Sequence, residues 1–100
     1  MITAGYVAQI DEFVGSDVST IVQSLKLFVP DADKSQLNAW REAVRILQRT
    51  CLAVSKGKDQ SGVTGAIILE YLVPLESRRI DAVLLLNGMV LVLEFKGKLI

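Results

Sequence analysis

The dipeptide Asn87-Gly88, set between the apolar runs Arg78 to Leu86 and Met89 to Phe95, restricts what this chain can fold into more than any other feature. A two-residue hairpin turn with the twist that strands prefer needs positive φ at both central residues, and Asn-Gly accepts this at least cost. A hairpin there fixes a register: Leu86 faces Met89, Leu84 faces Leu91, and Asp81 faces Glu94. A third apolar run, Ala66 to Val73, precedes the pair and is joined to it by Pro74-Leu75-Glu76-Ser77. If those four residues close a second hairpin, Val73 faces Arg78 and Glu70 falls opposite Asp81. The sequence thus predicts a three-stranded antiparallel meander over residues 66–96, crossed by a line of three carboxylates, Glu70, Asp81 and Glu94.

Upstream the periodicity changes to steps of three and four. Val7, Ile10, Phe13 and Val14, then Val18, Ile21, Val22, Leu25 and Phe28, predict two short helices, with Ser16 or Asp17 as an N-cap between them. After Pro30 and a polar loop, Ser35 is positioned to cap a longer helix whose apolar stripe is Leu37, Trp40, Val44, Leu47 and Cys51. On this stripe Trp40 and Cys51 read as core residues. Arg41, Arg45 and Arg49 line another face of the same helix, either as a solvated surface or as a phosphate-contacting row. Residues 55–65, rich in Gly, Ser and charge, read as a connection. The fold class expected is α/β of the α+β kind: one domain over 1–100, helical over 1–55 and a β-meander over 66–96.

Like charges directly opposed in a sheet have Cβ atoms about 4.5–5.5 Å apart and repel, so a row of carboxylates calls for a shared proton, a cation or a divalent metal. Lys96, two residues past Glu94, is a candidate cation. The stretches Ala82 to Leu86 and Met89 to Leu93 are apolar at every position, a pattern of strands covered on both sides. A polar cluster at the end of such strands is costly unless it is paired or liganded. The alternative is that the strands simply end in charge as they leave the core.

Composition narrows the chemistry. The chain has no histidine and one cysteine, Cys51, which excludes an internal disulfide and imidazole acid/base catalysis and removes the commonest zinc ligand. Hydrophobic residues make up 51% of the chain, yet no apolar run approaches the roughly 20 residues of a membrane span. With no secretory leader visible at the N-terminus, a cytoplasmic location without a membrane is expected. Formal net charge is zero, but Lys26 and Lys34 stand against five acidic residues in the first 40 positions, leaving the remainder positive.

The order of helix, Glu70, Arg-Ile-Asp81 and Leu-Glu94-Phe-Lys96 resembles the PD-(D/E)XK nuclease superfamily. More narrowly, LNAWREAVRIL, ILEYLVPLESRRIDAVLL and VLEFK resemble the N-terminal region of a bacterial family in which a nuclease-like segment precedes a P-loop helicase-type ATPase. The resemblance covers about residues 35–98 and implies a partial restriction-endonuclease-like core that hydrolyses DNA phosphodiesters with Mg²⁺ or Mn²⁺. It implies metal ligation by Asp81, Glu94 and the backbone carbonyl of Phe95, with Lys96 and Glu70 also at the catalytic site. Glu42 would match a helical acid that some members use, and Arg78, Arg79 and Lys98 would contact phosphate, with Arg79 alternatively pairing with Glu94 or Glu70.

The superfamily core continues with a further helix and strand after the Glu-x-Lys strand, whereas this sequence stops at Ile100, and it has no GxxxxGK[ST] phosphate loop. The core is accordingly expected to be incomplete. Completion from a homo-oligomer, a dimer by default, from a helicase or ATPase partner, or from a downstream domain follows as an expectation. A non-catalytic interaction module derived from a nuclease fold is the competing reading.

Overall fold

The computed structural model describes residues 3–56, 65–73 and 78–94. The chain begins with a strand, β1 (Ala4–Gln9), and continues through α1 (Ile10–Val14), α2 (Val18–Phe28) and α3 (Lys34–Lys56). Three strands follow: β2 (Gly65–Val73), β3 (Arg78–Leu86) and β4 (Met89–Leu93). They form one antiparallel sheet in the order β1-β2-β3-β4. The protein is a mixed α+β fold.

β1 corrects the sequence reading in two respects: the sheet has four strands rather than three, and the first helical stretch starts at Ile10. Helical spacing alone would set Val7 on an apolar stripe. It instead lies on a strand opposite Ile68 and is 63% exposed, while Ala8 beside it is buried, which is the period of two that a half-covered strand requires. Ile10 and Phe13 of the shortened helix keep their core role, with the Phe13 ring 6.1 Å from that of Tyr6.

Helix ends follow side-chain chemistry. Asp17 caps α2 by accepting from the Thr20 N–H. At the start of α3 it is Asp33 that accepts from the Gln36 N–H, so the capping role expected of Ser35 falls two residues earlier. Gln48 on α3 donates from Nε2 to the carbonyls of Phe13 and Ser16 at 2.9 and 2.8 Å, satisfying acceptors where α1 ends. Lys26 does the same for the turn after α2, donating to the carbonyls of Pro30 and Ala32.

The three helices cover one face of the sheet. Ile21, Val22 and Leu25 of α2 and Trp40, Val44, Leu47 and Cys51 of α3 pack with Ile67 and Leu69 of β2 and Ala82 and Leu84 of β3. Each fully buried Phe, Ile or Leu here contributes about 1.5–3 kcal/mol through removal of apolar surface from water. Trp40 and Cys51 are core residues, as their place on the stripe predicts. Arg45 and Arg49 are exposed, and Arg41 reaches Asn38 on its own helix.

The β3–β4 hairpin has the predicted register. Leu86 pairs with Met89, Leu84 with Leu91 and Ala82 with Leu93. Asn87 and Gly88 have φ of 48° and 86°, the positive pair that the turn demands. β2 and β3 also pair as expected, Val73 with Arg78 and Leu69 with Ala82. The expectation that the apolar strands are covered on both sides does not hold among the described residues: Val90 and Val92 of β4 are more than half exposed. The connection at 57–64, the turn at 74–77 and residues 95–100 lie outside the described residues. No described helix is long and apolar enough to cross a membrane.

Candidate functional site

The two hairpin registers converge on one end of the sheet. One step beyond the pair Ala82–Leu93, continuation of the ladder sets Asp81 of β3 across from Glu94, which directly follows β4. Asp81 alternates with Ala82 and so belongs to the face of Val83 and Leu85, away from the helices. Asp81 is partly buried and Glu94 is exposed.

Glu70 departs from this plan. The pairs on either side of it, Leu69–Ala82 and Tyr71–Ile80 with β3, and Tyr6–Leu69 and Ala4–Tyr71 with β1, keep a constant register, so no residue is inserted at this point. Glu70 itself has φ of 55°, in the left-handed region that a glutamate rarely occupies. Plain alternation would set it on the face of Ala66 and Ile68. Instead it is 7% exposed, and a Cβ placed on Gly5 would lie 3.5 Å from the Glu70 Cβ and 2.8 Å from Leu25 Cδ2 of α2. The kink therefore turns the side chain out of the line of carboxylates and toward the helix layer, at a cost of about 1 kcal/mol of backbone strain.

Three groups act on the diverted carboxylate. Burial is the strongest and raises its pKa above the ordinary glutamate value. The Trp40 indole N–H lies close enough to favour the charged form, yet it falls short of a well-formed hydrogen bond and is left as a buried donor without a full partner. Arg79 Nε stands 3.7 Å from Glu70 Oε1 and also favours the anion, while the charge of Asp81 opposes it. Because the Arg79 side chain is half exposed, its pairing with Glu70 contributes less than about 1 kcal/mol. Of the two partners expected for Arg79, Glu70 is the one observed.

The site thus has two layers. Above the sheet, Glu70, Trp40 and Arg79 form a partly buried cluster, joined electrostatically to Asp81. On the open face lies Asp81, with Glu94 directly after the end of β4, one step beyond the last register pair Ala82–Leu93. Among the described residues no group of three or more His, Cys, Asp or Glu side chains is placed to hold a metal ion. Asp81 and Glu94 offer two hard oxygen donors, suited in kind to Mg²⁺ or Mn²⁺. Arg78 lies on β3 opposite Val73, and Glu42 is on the exposed side of α3, apart from the core stripe. Phe95, Lys96 and Lys98 lie outside the described residues.

Sequence reasoning missed Trp40 as a neighbour of the acidic residues, since helical periodicity assigned it only to the core. The one signal available was that a buried tryptophan needs a partner for its N–H. Comparison with family models, with curated proteins and with solved structures gives no match for this chain.

Proposed function

We propose that this chain is a divalent-cation-dependent nuclease domain that hydrolyses DNA phosphodiester bonds, with Asp81, Glu94 and Lys96 as its working residues. The observation that supports the reading is the hairpin register, whose last pair is Ala82 with Leu93: one further step of that ladder would set Asp81 across from Glu94 on the face that the helices leave open. Two carboxylates so opposed repel each other, and a cation between them relieves that repulsion. The donor set fits Mg²⁺ or Mn²⁺, held by Asp81, Glu94 and the carbonyl of Phe95. When bound, such an ion polarises a phosphate oxygen and acidifies water.

The chain's own groups supply the rest. Lys96, two positions after Glu94 in the sequence, orients the attacking water and offsets charge that accumulates on the phosphorane-like transition state. Arg79, half exposed at the edge of the cluster, together with Arg78 and Lys98, supplies positive charge for the DNA backbone. Glu70, held at an unfavourable φ with its side chain turned toward Trp40 and Arg79, positions Arg79 behind Asp81 rather than serving as a ligand. Backbone strain kept at a partly buried ionisable residue is a recurrent property of functional sites.

A second reading, a non-catalytic module that assembles with itself or with a helicase-type partner, is favoured by the withdrawal of Glu70 from the line of carboxylates. One experiment separates the two. Supercoiled plasmid and single-stranded DNA are incubated with Mn²⁺ or Mg²⁺ and wild-type protein, Glu94→Ala or Lys96→Ala. The nuclease reading expects cleavage that both substitutions reduce by about 10²-fold or more. Folded protein that cuts neither substrate, and whose melting temperature Mn²⁺ raises no more in the wild type than in Asp81→Asn, overturns it in favour of the module.

A further inference from the structure

The two edges of the sheet are unequal. On β1, Ser24 of α2 donates to the Gly5 carbonyl at 2.7 Å, so the helix layer occupies an acceptor of that strand. β4 has no such guard among the described residues. Met89, Val90, Leu91 and Val92 are 59%, 64%, 39% and 54% exposed, and the strand contains no charge, proline or glycine of the kind that discourages pairing at an edge.

Geometry specifies what fits there. Leu86 and Met89 flank a two-residue turn, so they exchange both backbone hydrogen bonds, and the antiparallel pattern then alternates. Leu91 and Leu93 likewise direct their N–H and C=O groups to β3. Val90 and Val92 direct theirs away from the sheet. A strand laid antiparallel against β4 must therefore bond to Val90 and Val92, and a second β4 can do this with the same two residues.

We infer that β4 is the dimerisation edge of this protein, pairing antiparallel with β4 of a second copy about a two-fold axis at Leu91. Val90 of each copy bonds Val92 of the other, and Leu91 faces its own counterpart in the non-hydrogen-bonded position. Registers displaced by one residue would oppose Val90 to Leu91 and mismatch the bonding groups. The Leu91-centred register overlaps all five residues of β4 and keeps the two Glu94 carboxylates about 20 Å apart, at opposite ends of the junction, so like charges are not opposed. No charged partner is selected by a strand without charge, whereas an apolar strand matches itself.

The result is a continuous eight-stranded sheet with the helices of both copies on one side, since a two-fold axis perpendicular to a sheet preserves its faces. Val90 and Val92 join Val83 and Leu85 in one apolar stripe on the other side. From the exposures above, the four residues offer at most about 350 Å² per copy, roughly 700 Å² in all, the size of a weak, concentration-dependent association. This inference does not depend on the nuclease reading.

Light scattering coupled to size exclusion at about 100 μM, paired with oxidation of variants that each carry one introduced cysteine, tests it. The facing Cα atoms at Leu91 are about 4.5 Å apart in this arrangement, within disulfide reach, whereas two residues at position 90 stand about 7–8 Å apart on a diagonal. Leu91→Cys is expected to cross-link on the order of tenfold faster than Val90→Cys, with buried Cys51 common to both. Val92→Pro removes an outward N–H that the β3 ladder does not use, and should weaken the dimer at least about tenfold while retaining native circular dichroism. A monomer at that concentration, a dimer in which Val90→Cys cross-links as fast as Leu91→Cys, or a folded Val92→Pro that dimerises unchanged overturns the inference. Should Val92→Pro fail to fold, the cross-linking ratio decides alone.

Discussion

Replacing Glu70 by glycine or by alanine isolates the strain held at the site. Both substitutions delete the same buried carboxylate, so the loss of Arg79 pairing, of the Trp40 contact and of the desolvation penalty cancels when the two are compared. What remains is the backbone. At φ of 55° alanine meets the Cβ clash that glycine lacks, a difference of about 1–2 kcal/mol, and glycine's greater freedom in the unfolded chain returns part of that. The glycine variant should therefore be the more stable by about 1 kcal/mol, which for a chain of this size corresponds to about 4–8 °C in melting temperature. Urea unfolding at neutral pH, followed by circular dichroism, measures the gap as a shift in midpoint at constant slope. An alanine variant as stable as the glycine variant, or more so, would show that the backbone at position 70 relaxes freely, and the argument that Glu70 is held against its conformational preference would fail.

Two other outcomes follow from the described contacts. Because burial raises the Glu70 pKa, the folded protein binds this proton more tightly than the unfolded chain does. The resulting stabilisation is fully present below the ordinary glutamate pKa of about 4.3 and is lost as pH rises through the folded value. The melting temperature of Glu70→Gln minus that of the wild type should consequently increase between about pH 4 and about pH 8, and a difference that stays flat or declines contradicts the assigned burial. Gln48→Ala removes the donor shared by the Phe13 and Ser16 carbonyls and should cost about 1–3 kcal/mol in urea unfolding; a loss below about 0.5 kcal/mol would mean that water replaces the amide without penalty.

How much of this was legible in the sequence depends on the range of the interaction that fixes each part. The β3–β4 register was readable because Asn87-Gly88 determines its own backbone and every pair above it follows by counting. The same held for the α3 stripe, where five apolar residues at helical spacing left Trp40 and Cys51 no other place. β1 was not readable in this way. Its six residues are too few for periodicity to separate strand from helix, and what makes them a strand is the distant edge of β2. Glu70 shows the same limit within the candidate site. Counting gave its register correctly, but the direction of its side chain depends on a positive φ and on neighbours from α2 and α3 that no local pattern announces. Asp33 displaced Ser35 as the α3 cap because two suitable cap residues lie two positions apart, and sequence alone does not rank them.

The late arrival of β2 in the chain sets an order of events for folding. The partners within β3 and β4 are at most about a dozen residues apart, and those of β2 and β3 close the next hairpin, so a three-stranded sheet can form by local searches on a microsecond scale. β1 meets β2 across about sixty residues, with all three helices in between, and its loop-closure entropy is repaid only once those helices have docked. Until then the β2 edge stands open beside β4, and the half-assembled chain offers for intermolecular pairing a strand that lacks the helix contact by which Ser24 occupies the Gly5 carbonyl of β1 in the finished fold. Slow refolding at high protein concentration would thus be governed by the first nine residues, and a ribosome releases those residues long before the strand that receives them has been made.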